Sequence, residues 1–228
     1  MSNDSILHSL YPFLHGQKQD AGVLDVALLE SVRQKAEDSV DTKRQFFEKN
    51  GAAIVAVAHA IADVYRRDGR LFSMGNGGSS CDAAHIAVEF LHPVTAGRPA
   101  LTAVNLVADT AMMTAVGNDV GIAHIFVRQV IAQARRGDAL IGISTSGNSE
   151  NLMTAFAKAR EMGVVTIGLS GHDGGRMAAS GTLDHCLVVE SDSIHRIQET
   201  HVAIYQILWD LVHTLLADER GGLGKDMP

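Results

Sequence analysis

Between residues 70 and 190 the sequence repeats one plan. A short apolar run is followed by a loop rich in glycine or hydroxyl groups, and that loop by a segment of helical spacing. RLFSM leads to GNGGSS and then CDAAHIAVEFL; ALTAVNL leads to VAD and TAMMTAVG. ALIGIS leads to TSGNS and ENLMTAFAKAREMG; VVTIGLS leads to GHDGG and RMAASG; DHCLVVE is the last such run. Strands that alternate with helices return by crossovers, which makes the sheet parallel and covers both of its faces. The chain is therefore read as α/β, a three-layer doubly wound sandwich with a five-stranded parallel sheet flanked by helices.

Ahead of this pattern, residues 23–48 and 50–67 carry apolar residues three and four apart (Val23, Val26, Leu29; Ile54, Val57, Ile61, Val64). They read as two helices, divided by Asn50-Gly51 and ended by Asp68-Gly69. SIHRIQETHVAIYQILWDL, residues 193–211, reads as a closing helix. Residues 1–22 are expected to be irregular, 23–217 to form one domain, and 218–228 to be a flexible tail.

Composition narrows the function classes. Hydrophobic residues make up 46% of 228, enough for a sizeable core. The net charge is −7, and Arg66-Arg67 and Arg135-Arg136 are only short doublets, so a nucleic-acid partner is not expected. No apolar run reaches the roughly 20 residues of a membrane span. The first residues lack the basic start and long apolar segment of a signal peptide, so a cytoplasmic protein is expected. Two cysteines, Cys81 and Cys186, make neither a disulfide framework nor a CxxC site.

In open α/β sheets ligands bind beyond the carboxyl ends of the strands. GNGGSS, residues 75–80, lies at such an end. Ser80 replaces the glycine a dinucleotide fingerprint would need, and no GK[ST] follows, so no nucleotide cofactor is expected. STSGNS, residues 144–149, places four hydroxyls (Ser144, Thr145, Ser146, Ser149) directly before a helix. Helix N-termini offer unpaired N–H groups and partial positive charge, so this loop reads as a phosphate cradle. The plainer reading is an N-cap by Asn148 or Ser149, for which one hydroxyl would suffice. In the helix after GNGGSS, His85 and Glu89 share one face. Glu89 sits among apolar residues, where burial would raise its pKa towards that of a general base. The same pair has the spacing for a divalent metal, or for a solvated surface pair.

GNGGSSCDAAHIAVEF, AVGNDVG, GDALIGISTSGNSENL, GLSGHDGG and HRIQETH occur in this order. Together they resemble the sugar isomerase (SIS) domain family, in particular its phosphoheptose isomerase branch, over residues 40–217. The resemblance implies isomerisation of sedoheptulose 7-phosphate to D-glycero-D-manno-heptose 7-phosphate through an enediol, with Glu89 as base and His85 and Gln198 as further catalytic groups. It implies that Asn76, Gly77, Gly78, Asn118, Asp119 and Gln198 contact the sugar, and that Ser144, Thr145, Ser146 and Ser149 hold its phosphate. It also implies a homotetramer built through the N-terminal helices and the closing helix, and one Zn²⁺ per subunit on His85, Glu89 and Gln198, with Gln206 at the fourth place.

Two positions depart from the family pattern. Gln206 stands where the family has its second catalytic histidine, and His195 where it has an aspartate. Glutamine cannot exchange a proton at neutral pH. At 100° per residue, His201 and Gln206 fall on opposite flanks of Gln198, and His195 lies about 16 Å along the axis from Gln206, so neither histidine takes its place. His201 reads instead as a hydrogen-bonded core or interface residue. The alternative function is a non-catalytic SIS protein that binds a phosphosugar or a protein partner, of the replication-initiator-binding type.

Overall fold

The computed structural model describes residues 21–95 and 97–218. The first element corrects the sequence expectation. One helix, α1 (Ala21–Arg66), runs where two were expected. The Asn50 side chain donates to the Phe46 carbonyl one turn back, and open space surrounds Gly51. A glycine inside a helix costs about 1 kcal/mol, which is too little to break a ladder that continues on both sides. Ala21 and Gly22, expected to be irregular, open this helix; the rest of 1–22 and the tail beyond Asp218 lie outside the described residues. The turns of α1 through Val40 belong to one compact unit, and those from Asp41 to a second, which holds the sheet.

Helix α1 ends as the Asp68-Gly69 pair suggested. Asp68 takes the left-handed conformation at φ 57°, and the Gly69 N–H reaches back to the Val64 carbonyl at 2.9 Å. This is a Schellman-type closure. There follow β1 (Leu71–Gly75), α2 (Gly78–Leu91), β2 (Ala103–Asn105), α3 (Thr110–Asp119), a 3₁₀ turn (Ile122–His124) and α4 (Val127–Gln133). Then come β3 (Ala139–Ser144), α5 (Glu150–Glu161), β4 (Val165–Gly171), α6 (Gly175–Ala179), β5 (His185–Val189) and α7 (Ile194–Asp218). Helix α2 opens inside the glycine loop rather than at Cys81, β2 is shorter than its apolar run, and α7 continues past Leu211. Helix α4 had no separate expectation.

The five strands are parallel in the order β2-β1-β3-β4-β5. Their side chains alternate between two cores. Leu71, Ala139, Ile141 and Ile143 pack with α2, α7 and the part of α1 from Phe46. Phe72, Met74 and Leu140 pack with α3 to α6, chiefly against Phe126, Leu152 and Phe156. Two helical layers around one parallel sheet are the expected sandwich. Among the described residues no helix is long and apolar enough to cross a membrane.

Gly51→Ala should stabilise the protein. The position is exposed, helical and free of neighbours within 4 Å, so alanine removes backbone entropy from the unfolded chain without a clash. The expected gain is about 0.5–1 kcal/mol in denaturant unfolding, and a loss would contradict this account of α1.

Candidate active site at the ends of β1 and β3

The strand order locates the crevice. From β1 the chain crosses to β2 on one side, and its next strand, β3, lies on the other. The carboxyl ends of β1 and β3 therefore form the topological switch point, where doubly wound sheets bind ligands. The loops at 75–80 and 144–149 open there. A reciprocal amide pair ties them: Asn76 donates to Asn151 at 2.9 Å and accepts from it at 2.9 Å. Asn76, expected to touch the sugar, thus spends its amide on joining the two loops. Asn151, which sequence reasoning missed, is its buried partner in α5.

In the serine loop, Ser149 occupies the N-cap position of α5 yet makes no capping bond. Its hydroxyl lies 3.1 Å from that of Ser144 instead. The two hydroxyls pair across the loop and leave the helix end uncapped by Ser149, as an anion site requires and an ordinary cap does not. Ser146 is exposed and Thr145 half-buried beside them. Glu150 in the first turn would oppose an anion, but Arg176 pairs with it and holds its carboxyl below the ordinary range. The loop is rigid by construction. Gly147 has φ +66°, and a Cβ there would stand 2.0 Å from the Gly174 carbonyl.

On the helix that starts in the glycine loop, Glu89 and His85 meet on one face of α2, with Oε1 2.9 Å from Nε2. They are not a fully solvated pair: the Glu89 side chain is 17% exposed. Helix α7 supplies the rest of this wall. The Gln206 amide nitrogen is 3.4 Å from His85 Nε2, and the Tyr205 hydroxyl is 2.8 Å from His85 Nδ1. Trp209 Nε1–H donates to the Glu89 carbonyl at 2.9 Å and fixes α7 against α2. The Gln198 amide lies over Gly78, where a Cβ would come within 2.4 Å of it. Gly77 at φ +53° makes the turn that lets α2 start there.

Other expected residues lie apart. Asn118 donates to Asp119 at 2.9 Å, and both are exposed at the end of α3. Among the described residues neither has a recorded bond to the groups above. His195 is exposed at the start of α7. His201 is fully buried, and its Nε2–H donates to the Ser170 carbonyl at 2.9 Å, while Nδ1 has no partner among the described residues. Burial lowers its pKa to about 4, partly offset by the bond to Ser170.

Zinc is the metal that the resemblance implies for this wall. His85 and Glu89 supply one imidazole and one carboxylate, and the other two candidates are neutral amides. Among the described residues no three of His, Cys, Asp and Glu gather. Zinc takes at least three such ligands in its catalytic sites, so this chain's own set falls short. The chemistry below uses side chains alone.

Comparison with known proteins agrees with this architecture. The SIS domain family model matches residues 36–171. The phosphoheptose isomerase of Roseiflexus sp. (strain RS-1) is 40% identical over 188 residues, covering 82% of this chain and 94% of that protein. That of Trichlorobacter lovleyi is 43% identical over 174 residues, covering 76% and 88%. The solved phosphoheptose isomerase GmhA from Neisseria gonorrhoeae superposes with a TM-score of 0.77 at 37% identity, covering 82% of this chain and 99% of that one.

His201 sets a pH dependence. Its folded pKa lies below the unfolded value of 6.5, so the unfolded chain binds the proton first and stability falls as pH drops from about 6.5 to about 4. Relative to His201→Gln, the wild type should lose about 3 kcal/mol of unfolding free energy across that window. A constant difference between the two proteins would contradict a neutral, buried imidazole.

Proposed function

The chain belongs to the SIS-domain family, on its phosphoheptose isomerase branch, and from that footing we propose that it interconverts sedoheptulose 7-phosphate and D-glycero-D-manno-heptose 7-phosphate. It is a phosphosugar isomerase. The observation that carries the reading is the serine loop left uncapped by Ser149, with α5 bonded through Asn151 to Asn76 in the glycine loop, from which the helix carrying the Glu89–His85 pair starts. The phosphate binds Ser144, Thr145, Ser146, Ser149 and the amide end of α5. Anchoring the remote phosphate orients the reacting carbons, which is worth several kcal/mol of barrier.

Glu89 removes the C1 proton of the ketose and returns it to C2, through an enediol. Its half-buried place in α2 suits a carboxylate that must accept a proton from carbon. His85 exchanges the proton between the two sugar oxygens. This role falls to His85 because Gln206, 3.4 Å from the same imidazole nitrogen, can only donate or accept a hydrogen bond. The backbone N–H groups at Gly77 and Gly78, with the Gln198 amide, offer donors to the developing oxyanion. The protein acts as a homotetramer; exposed Val26, Leu29 and Val32 along α1 support association through that helix.

Purified protein should turn over sedoheptulose 7-phosphate. Glu89→Gln should lower kcat by about 10²–10⁴, the usual worth of a positioned acid or base. Ser149→Ala should act mainly on KM. Assays with zinc and with chelator determine whether a metal contributes. If wild type shows no turnover while the phosphosugar still raises its melting temperature, the protein binds rather than isomerises.

A further inference from the structure

The segment GHDGG, residues 171–175, takes no part in the chemistry above, yet it is built against the serine loop. The Asp173 carboxylate accepts the Gly175 N–H at 3.0 Å. Gly175, at φ +53°, comes so close that a Cβ there would stand 2.5 Å from the Ser146 carbonyl. The Arg176 N–H donates to Asn148 Oδ1 at 3.0 Å, and the Met177 N–H to the Gly147 carbonyl at 3.0 Å. Successive backbone positions thus seat the start of α6 on residues 146–148. From that seat the Arg176 guanidinium bonds to the Glu150 carboxylate in the first turn of α5.

This ion pair does little for the fold. The Arg176 and Glu150 side chains are 51% and 61% exposed, and pairs in water add little stability. Its place decides its use. A carboxylate in the first turn of a helix is favourable while that end is empty, because it meets the positive end of the dipole. A phosphate bound beside Ser149 brings a second negative charge to the same turn, and the two repel. We propose that Arg176 is a positioning residue for substrate affinity: carried to the serine loop by its own backbone, it draws the Glu150 carboxylate to itself and offsets its charge, so that the start of α5 accepts a doubly charged phosphate.

This inference deepens the isomerase reading and rests on it for where the phosphate lies. Arg176 acts through Glu150 rather than on the phosphate itself. The two roles are separable, because only the first becomes dispensable once Glu150 is neutral. The bonds that seat α6 on the loop use the backbone of residues 175–177, so they survive replacement of the Arg176 side chain.

The test removes the two charges separately and together. Arg176→Gln should raise the KM for sedoheptulose 7-phosphate by roughly 3–10-fold with kcat within about two-fold, the size expected of an exposed like charge. Arg176→Lys keeps the charge and should keep the KM. Adding Glu150→Gln to Arg176→Gln should restore the KM. Lys158→Gln, which removes a cation near the far end of α5, should leave it unchanged. The deficit of Arg176→Gln should shrink in about 0.5 M sodium chloride, which screens exposed charges. Calorimetry with inorganic phosphate should rank the Kd values of these proteins in the same order. A wild-type KM in Arg176→Gln overturns the proposal. So does a double variant no better than Arg176→Gln, since the guanidinium would then bind the phosphate directly. Absence of turnover in the wild type defeats the isomerase reading, while the phosphate affinities still decide the role of Arg176; a wild type that binds no phosphate overturns that role as well.

Discussion

The reciprocal bond between Asn76 and Asn151 is the narrowest connection in the molecule, and the site depends on it. The serine loop is held besides by α6, where the Met177 N–H donates to the Gly147 carbonyl and the Arg176 N–H to Asn148 Oδ1. Strand pairing brings Gly75 beside Ile143, but pairing stops at the ends of the strands, where both loops leave the sheet. Each amide gives one hydrogen bond and takes one, and loss of Asn76 would deprive the buried Asn151 amide of that acceptor. The glycine loop and the serine loop therefore behave as one mouth.

The opposite wall is built on another principle. Helices α2 and α7 cross with polar side chains from both inside an otherwise apolar contact. Ile86, Phe90, Ile204 and Leu208 supply the buried surface, and His85, Tyr205 and Trp209 carry directional bonds between the two helices. Apolar burial makes the helices adhere, and the hydrogen bonds select one register. A shift of α7 by one turn would keep an apolar stripe against α2 and lose these bonds. The polar residues of α7 thus divide by face: Gln198, Tyr205 and Gln206 towards α2, and His201 towards the end of β4.

Much of this was legible in the sequence, because the constraints were local. ALIGIS gave its strand to the residue, since an unbroken apolar run bounded by a charge and a hydroxyl loop has little freedom. His85 and Glu89 were found because four residues on a helix return to one face. The misses were non-local or were read too locally. Asn50-Gly51 looked like a break, but a side chain bonding one turn back and an absence of neighbours let α1 continue. Asn151 could not be recognised without knowing that its loop faces Asn76. Tyr205 had a signal that went unused: seven residues separate it from Gln198, two full turns along one face.

The uncapped start of α5 has a meaning beyond recognition. A helix normally closes its own first turn with the hydroxyl at its cap; here Ser149 is turned aside to Ser144, and the turn is left incomplete. An anion would complete it. The occupant of the crevice then supplies a structural component that the polypeptide withholds, and local order at this end of the sheet becomes a gauge of supply. With a phosphorylated sugar as that occupant, amide exchange, protease resistance and thermal tolerance in this region would follow its concentration by mass action.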